Sequence, residues 1–197
     1  MTVIQLDHNY QKSLKRALRE QCAVGSAHLT EAIARGCGYQ TQAALLAALN
    51  GEMAGYYIRF DEAVFRHRLL EVSSTPAPDL IALPSLGHSA RYVAGLFDDP
   101  AIVIVSFCNT RARFRLTGIN TVIEIDLTDI GNGYTQFERS HAIHTPTQAG
   151  PYWPSRDFDD DPAYAMHRAI ESFVHYYRDA VRAGHTPDAD WLISSPY

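Results

Sequence analysis

Residues 101–143 read AIVIVSFCNTRARFRLTGINTVIEIDLTDIGNGYTQFERSHAI, and this stretch decides the fold. Four runs rich in β-branched and aromatic residues, 101–107, 112–117, 121–127 and 134–143, are separated by Asn109–Thr110, Gly118–Asn120 and Gly131–Gly133. Short polar or glycine-bearing turns between such runs predict an antiparallel meander of about four strands. Side chains alternate faces along a strand, so Arg111, Arg113 and Arg115 share one side. If the turn at Gly118–Asn120 sets the register, Arg113 stands opposite Glu124 and Arg111 opposite Asp126. Cross-strand ion pairs of this kind contribute about 0.2–1 kcal/mol each. Arg115 is left without an evident partner, which makes it a candidate binding residue.

Downstream, residues 150–162 read as an irregular loop. It carries the segment Pro-Tyr-Trp-Pro (PYWP, 151–154) and an acidic run at Asp157, Asp159, Asp160 and Asp161. Tyrosine and tryptophan in a proline-flanked loop are the residue types that anchor protein partners, so Tyr152 and Trp153 are candidate contacts. The acidic run lacks the glycine and distal glutamate of a calcium loop. One or two of its carboxylates suit a helix N-terminus. Asp159 and Asp160 are candidates for an acidic contact surface.

A long helix follows, about 162–183, with an Asp cap, Pro162 at its first position and Gly184 beyond its end. Met166, Ile170, Phe173, Val174, Tyr177 and Val181 form a wide apolar stripe suited to lying across a sheet. His167, Glu171 and His175 run beside that stripe. These are metal-ligand types. At about 1.5 Å rise per residue, however, the outer two lie about 12 Å apart along the axis. A metal would therefore need a ligand from elsewhere, such as His141 or His144. Trp191–Ile193 are expected to fold back onto the core.

Upstream, residues 10–50 read as three short helices broken by Gly25 and by Gly36 and Gly38. The first spans about 9–21, the second starts at Ser26 as N-cap, and the third starts at a Thr41 cap. Lys12, Lys15, Arg16 and Arg19 cluster on the first helix as candidate nucleic-acid contacts. Residues Leu18, His28, Leu29, Glu31, Ala34, Arg35, Gly38 and Tyr39, with the Ala/Leu run at 43–49, carry a resemblance. The segment resembles the small helical domain at the front of some glyoxalase-related bacterial proteins. That resemblance brings no catalytic residue with it; the compact helical segment itself reads as an attached docking module. Beyond it, residues 56–60 read as a strand or a helix entry, 61–72 as a helix, 73–84 as a proline-bearing loop and 86–97 as another helix.

The chain of 197 residues has a formal net charge of −5. The imbalance is local: five Lys/Arg against three Asp/Glu over residues 1–50, nine against eleven over 51–156, and three against eight over 157–197. Bulk electrostatics therefore argue against nucleic-acid binding except at the first helix. The apolar runs are too short to cross a bilayer as a helix, and the N-terminus lacks the apolar core of a secretory signal. Three scattered cysteines suit a reducing cytoplasm rather than a disulfide framework. Phosphate-cradling loops and a nucleophile elbow are missing from the sequence, so no cofactor is expected.

These readings add up to an α+β protein. A helical module over 1–52 precedes an α+β domain over 53–197. The expected function is that of a non-enzymatic bacterial accessory protein, of a mobile-element kind, acting by protein–protein contacts. A protein partner is expected and self-association into a homodimer is compatible with it. The alternatives are a nucleic-acid-binding regulator using the first helix and a metal-dependent enzyme using His167, Glu171 and His175.

Overall fold

The computed structural model describes residues 2–21, 24–72, 93 and 95–196. The chain is α+β and divides into two compact units, Met1–Ala90 and Arg91–Tyr197.

In the N-terminal unit a strand β1 (Thr2–Gln5) pairs antiparallel with β2 (Tyr57–Phe60), Thr2 opposite Phe60 and Gln5 opposite Tyr57. Among the described residues four helices accompany them: α1 (His8–Gln21), α2 (Ser26–Gly36), α3 (Gln42–Asn50) and α4 (Glu62–Val72). Asp7 opens α1, its Oδ1 accepting from the amides of Asn9 and Tyr10. Thr41 opens α3 as expected, its hydroxyl accepting from the Ala44 amide at 3.1 Å. Ser26 is not a cap: Gly25 holds the capping position of α2, with no side-chain bond. The helix ends where Gly38 adopts a left-handed φ of 83°, which lets the Tyr39 amide reach the Ala34 carbonyl at 2.8 Å.

Leu14, Leu18, Leu29, Ile33, Leu45, Phe60, Phe65 and Leu69 close an apolar core. Gly36 sits at its tightest point. A β-carbon there would lie 2.5 Å from the Phe60 ring, so only glycine lets α2 approach β2 this closely. The division expected after residue 52 is displaced. β2 pairs with β1 and α4 packs on α2, which draws residues 57–72 into the N-terminal unit. The expected loop over 73–84 and most of the expected helix over 86–97 lie outside the described residues, although 95–98 are helical.

The distal unit is built on an antiparallel sheet. Its strands are β3 (Ile102–Phe107), β4 (Arg111–Leu116), β5 (Ile123–Gly131), β6 (Tyr134–Arg139) and, beyond β7 (His141–Ile143), the short β8 (Phe158–Asp159). They pair in the order β3-β4-β5-β6-β8. The register is the one the turn predicts, with Arg111 opposite Asp126 and Arg113 opposite Glu124. β8, inside the segment expected to be irregular, adds a fifth strand opposite Thr135 and Gln136.

The expected last strand over 134–143 is broken at Ser140. β7 (His141–Ile143) leaves the main sheet and pairs with β9 (Leu192–Ser194). Ser140 joins the two sheets, its hydroxyl accepting from the Glu124 amide and its carbonyl from the Ser195 amide, both at 2.8 Å. Helix α5 (Pro162–Arg182) lies over the sheet, capped by Asp161 with Pro162 first. Phe173 of α5 meets Phe114 of β4 edge-on at 5.8 Å between ring centres. Trp191 folds back as expected and packs against Tyr177, 6.2 Å between centres. Val181, placed on the core stripe by periodicity, is 42% exposed. Ala180, one residue earlier, is fully buried and takes that place on the stripe.

Candidate functional site

Strand β6 alternates, with Thr135, Phe137 and Arg139 buried and Tyr134 and Glu138 exposed. That period puts an arginine on the face that Phe137 turns to the core. Arg139 is 8% exposed. Its Nη1 donates to Ser172 Oγ at 3.0 Å and its Nη2 to the Tyr152 carbonyl at 3.4 Å. The Trp153 and Phe173 rings lie 5.5 and 5.4 Å from the guanidinium carbon. Among the described residues Arg139 forms no ion pair. Burial pulls its pKa down to about 10, with Tyr152 offsetting part of the shift.

The PYWP segment is pinned over this arginine. The Tyr152 amide donates to the Ile143 carbonyl at 2.9 Å, and its ring rests against Tyr176 at 4.9 Å. Trp153 is 44% exposed. A hollow lies on either side of the segment. The larger, about 430 Å³, is lined by Gln136, Glu138, Arg139, Trp153 and Asp157. It opens along β6 because β8 pairs only with Thr135 and Gln136 before the chain turns away. The smaller, about 300 Å³, is lined by Tyr152, Tyr164, His167, Glu171, His175 and Tyr176.

The acidic run is mostly absorbed by the fold. Asp157 Oδ2 accepts from Gln136 Nε2 at 2.7 Å. Asp159 is buried and paired with Arg168 at 2.8 Å, and its own carboxylate also accepts from the Asp160 amide. Burial alone would raise the Asp159 carboxyl, but the bonds from Arg168 and Asp160 outweigh it and hold the group below its ordinary value. Asp159 is therefore not the surface contact the sequence suggested, because its charge is neutralised internally. Asp160 is exposed.

The histidine stripe does face one hollow. Its members nevertheless turn to different neighbours: His175 to Asp179 at 3.5 Å, Glu171 to Arg178 at 3.8 Å, and His167 stacked on Tyr164. His141 bonds to Ser140 Oγ instead of joining them. Among the described residues no group of three His, Cys, Asp or Glu converges where a metal could bind.

Arg115 stands opposite Val103 and makes no ion pair among the described residues. It alternates with Phe114, which touches α5, so it lies on the far face of the sheet and does not join Trp153. In the N-terminal unit, Lys12, Lys15, Arg16 and Arg19 surround a third hollow of about 510 Å³ beside Ser26. Lys15 donates to Thr30 Oγ1 at 3.2 Å, and Arg16 pairs loosely with Glu20 at 3.8 Å. Cys37 is no nucleophile candidate, since burial pushes its pKa up to about 12.

Compared with protein-family models, curated proteins and solved structures, the chain matches none of them. No described helix is long and apolar enough to cross a membrane. The residue that sequence reasoning missed is Arg139. Its signal was the alternation with Phe137, which passes unnoticed when a charged side chain is assumed to be solvated.

Proposed function

We propose that this is a non-enzymatic accessory protein whose distal unit binds a protein partner at the PYWP loop. The observation that carries the reading is Trp153, an exposed indole held over a guanidinium beside an open hollow. Large aromatic side chains at a concave, partly apolar surface are the usual energetic centres of interfaces. The free thiols of Cys37 and Cys108 suit a reducing, cytoplasmic setting. The test is affinity capture with the partner identified, then repeated with Tyr152→Ala and Trp153→Ala. Loss of a central anchor is expected to weaken capture at least tenfold, roughly. Partners captured equally by both variants would overturn the reading.

A second reading is favoured by a separate observation. Four cations of α1 surround one hollow next to a helix N-terminus that has no side-chain cap. Phosphates of a nucleic acid suit such a surface. A salt-sensitive gel shift, lost when Lys12, Lys15, Arg16 and Arg19 are changed to Gln together, is the expected outcome. No shift at low salt ends this reading.

A further inference from the structure

Among the described residues, three half-buried arginines of the distal unit meet a carboxylate: Arg168 meets Asp159, Arg178 meets Asp99, and Arg113 meets Glu124. Arg139, more deeply placed than these, meets none among the described residues. A guanidinium 8% exposed and without a counter-ion among the described residues is costly, and an apolar side chain of similar size would serve packing better. The cost is recovered when an anion enters. Arg139 is presented for this. Aromatic rings lie over it, which leaves its N–H edges for in-plane acceptors. Ser172 Oγ and the Tyr152 carbonyl take some of its five N–H groups, and the residue lines the larger hollow. A carboxylate is the planar acceptor that matches such an edge.

The rim narrows the choice. Glu138 and Asp157 line the same hollow, Asp157 held by Gln136, so a run of acidic residues would be repelled from it. The exposed indole of Trp153 supplies apolar cover for whatever flanks that carboxylate.

We propose that the larger hollow recognises one Asp or Glu side chain of a partner polypeptide, its carboxylate on Arg139 and an apolar neighbouring residue on Trp153. This rests on the reading of the PYWP loop as a protein-binding site and adds what that loop selects.

The test uses the full chain and two matched pools of random heptapeptides, one with Asp or Glu fixed at the centre and one with Asn or Gln. Individual acidic peptides recovered from the first pool are expected to bind about tenfold or more tightly than their amide counterparts. The preference disappears in Arg139→Met. In the unaltered protein the Arg139 Nε–H resonance moves when an acidic peptide is added, which reads the contact even where the variant fails to fold. Equal affinities with an unmoved resonance overturn the carboxylate assignment; if Trp153→Ala still weakens those peptides, the loop reading survives alone. Absence of binding from both pools overturns the two together. Acetate moving the resonance with the affinity of the acidic peptides shows a site for small free carboxylates and overturns the polypeptide assignment.

Discussion

The cation cluster on α1 and Arg139 of the distal unit are placed in opposite ways. In the N-terminal unit Lys12, Arg16 and Arg19 stay exposed around a hollow, above a core of Leu14, Leu18 and Leu29. In the distal unit Arg139 enters the core, between Phe173 and Trp153. The physics of the two arrangements differs more than the count of charges suggests. Opposite charges 4 Å apart attract by about 1 kcal/mol in water and by about 4 kcal/mol at the effective dielectric of a protein surface. Exposed cations are also screened within a Debye length of about 8–10 Å. One largely buried arginine can therefore discriminate between ligands more sharply than a cluster of mostly exposed cations, while the cluster responds more steeply to salt.

The comparison can be broken first at its packing. Phe173→Ala removes the ring under Arg139 and the edge contact with Phe114, and is expected to cost about 3–5 kcal/mol in denaturant unfolding. A loss under 1 kcal/mol would show that the arginine is not held by a packed core. Next in size is the response to salt. Polyanion binding at α1 is expected to fall about a hundredfold between 50 and 200 mM salt if all four cations neutralise phosphates, while acidic-peptide binding at Arg139 falls only about fourfold. Similar slopes would erase the distinction between exposed and buried sites.

The purely apolar core is probed by Gly36→Ala, which drives a methyl into the Phe60 ring and is expected to cost about 1–3 kcal/mol. A smaller effect belongs to acid. The Asp159 carboxyl is held below its ordinary value, so it stabilises the fold above the normal carboxylate range and that contribution is lost as pH falls through the lowered value. Thermal unfolding of Asp159→Asn should show a flatter acid limb than the unaltered chain. The smallest expected effect is that of Arg139→Met. A lone buried charge replaced by an apolar side chain should leave stability unchanged or raise it by about 1 kcal/mol. A clear loss would make Arg139 a structural residue and remove the contrast with the α1 cluster.

Much of the architecture was legible because it depends on short-range rules. The turn at Gly118–Asn120 determined that Arg113 meets Glu124, since the antiparallel register follows from where the chain reverses. Asp161 and Pro162 marked the start of α5 through local capping chemistry. The return of Trp191 followed from a large apolar residue in need of cover. The misses needed partners distant in sequence. β1 is four residues long and is a strand because β2, more than fifty residues later, pairs with it. The break at Ser140 depends on β9, near the C-terminus, offering β7 a different sheet. Asp159 looked like part of a solvated acidic run until Arg168 was brought across from α5.

The candidate site divides along the same line. Trp153 and Tyr152 stood out by residue type and their proline-flanked setting. Arg139 did not, because its meaning depends on what surrounds it. By itself the sequence determined the α+β class, the β3–β6 meander and the long amphipathic helix, since periodicity, turns and caps act over a few residues. The tertiary fold set which charges are solvated, which are neutralised, and that Arg139 is buried without a carboxylate among the described residues. Desolvation is set by the whole shell of neighbours, and α5, β6 and the PYWP loop supply that shell from three separate stretches of chain.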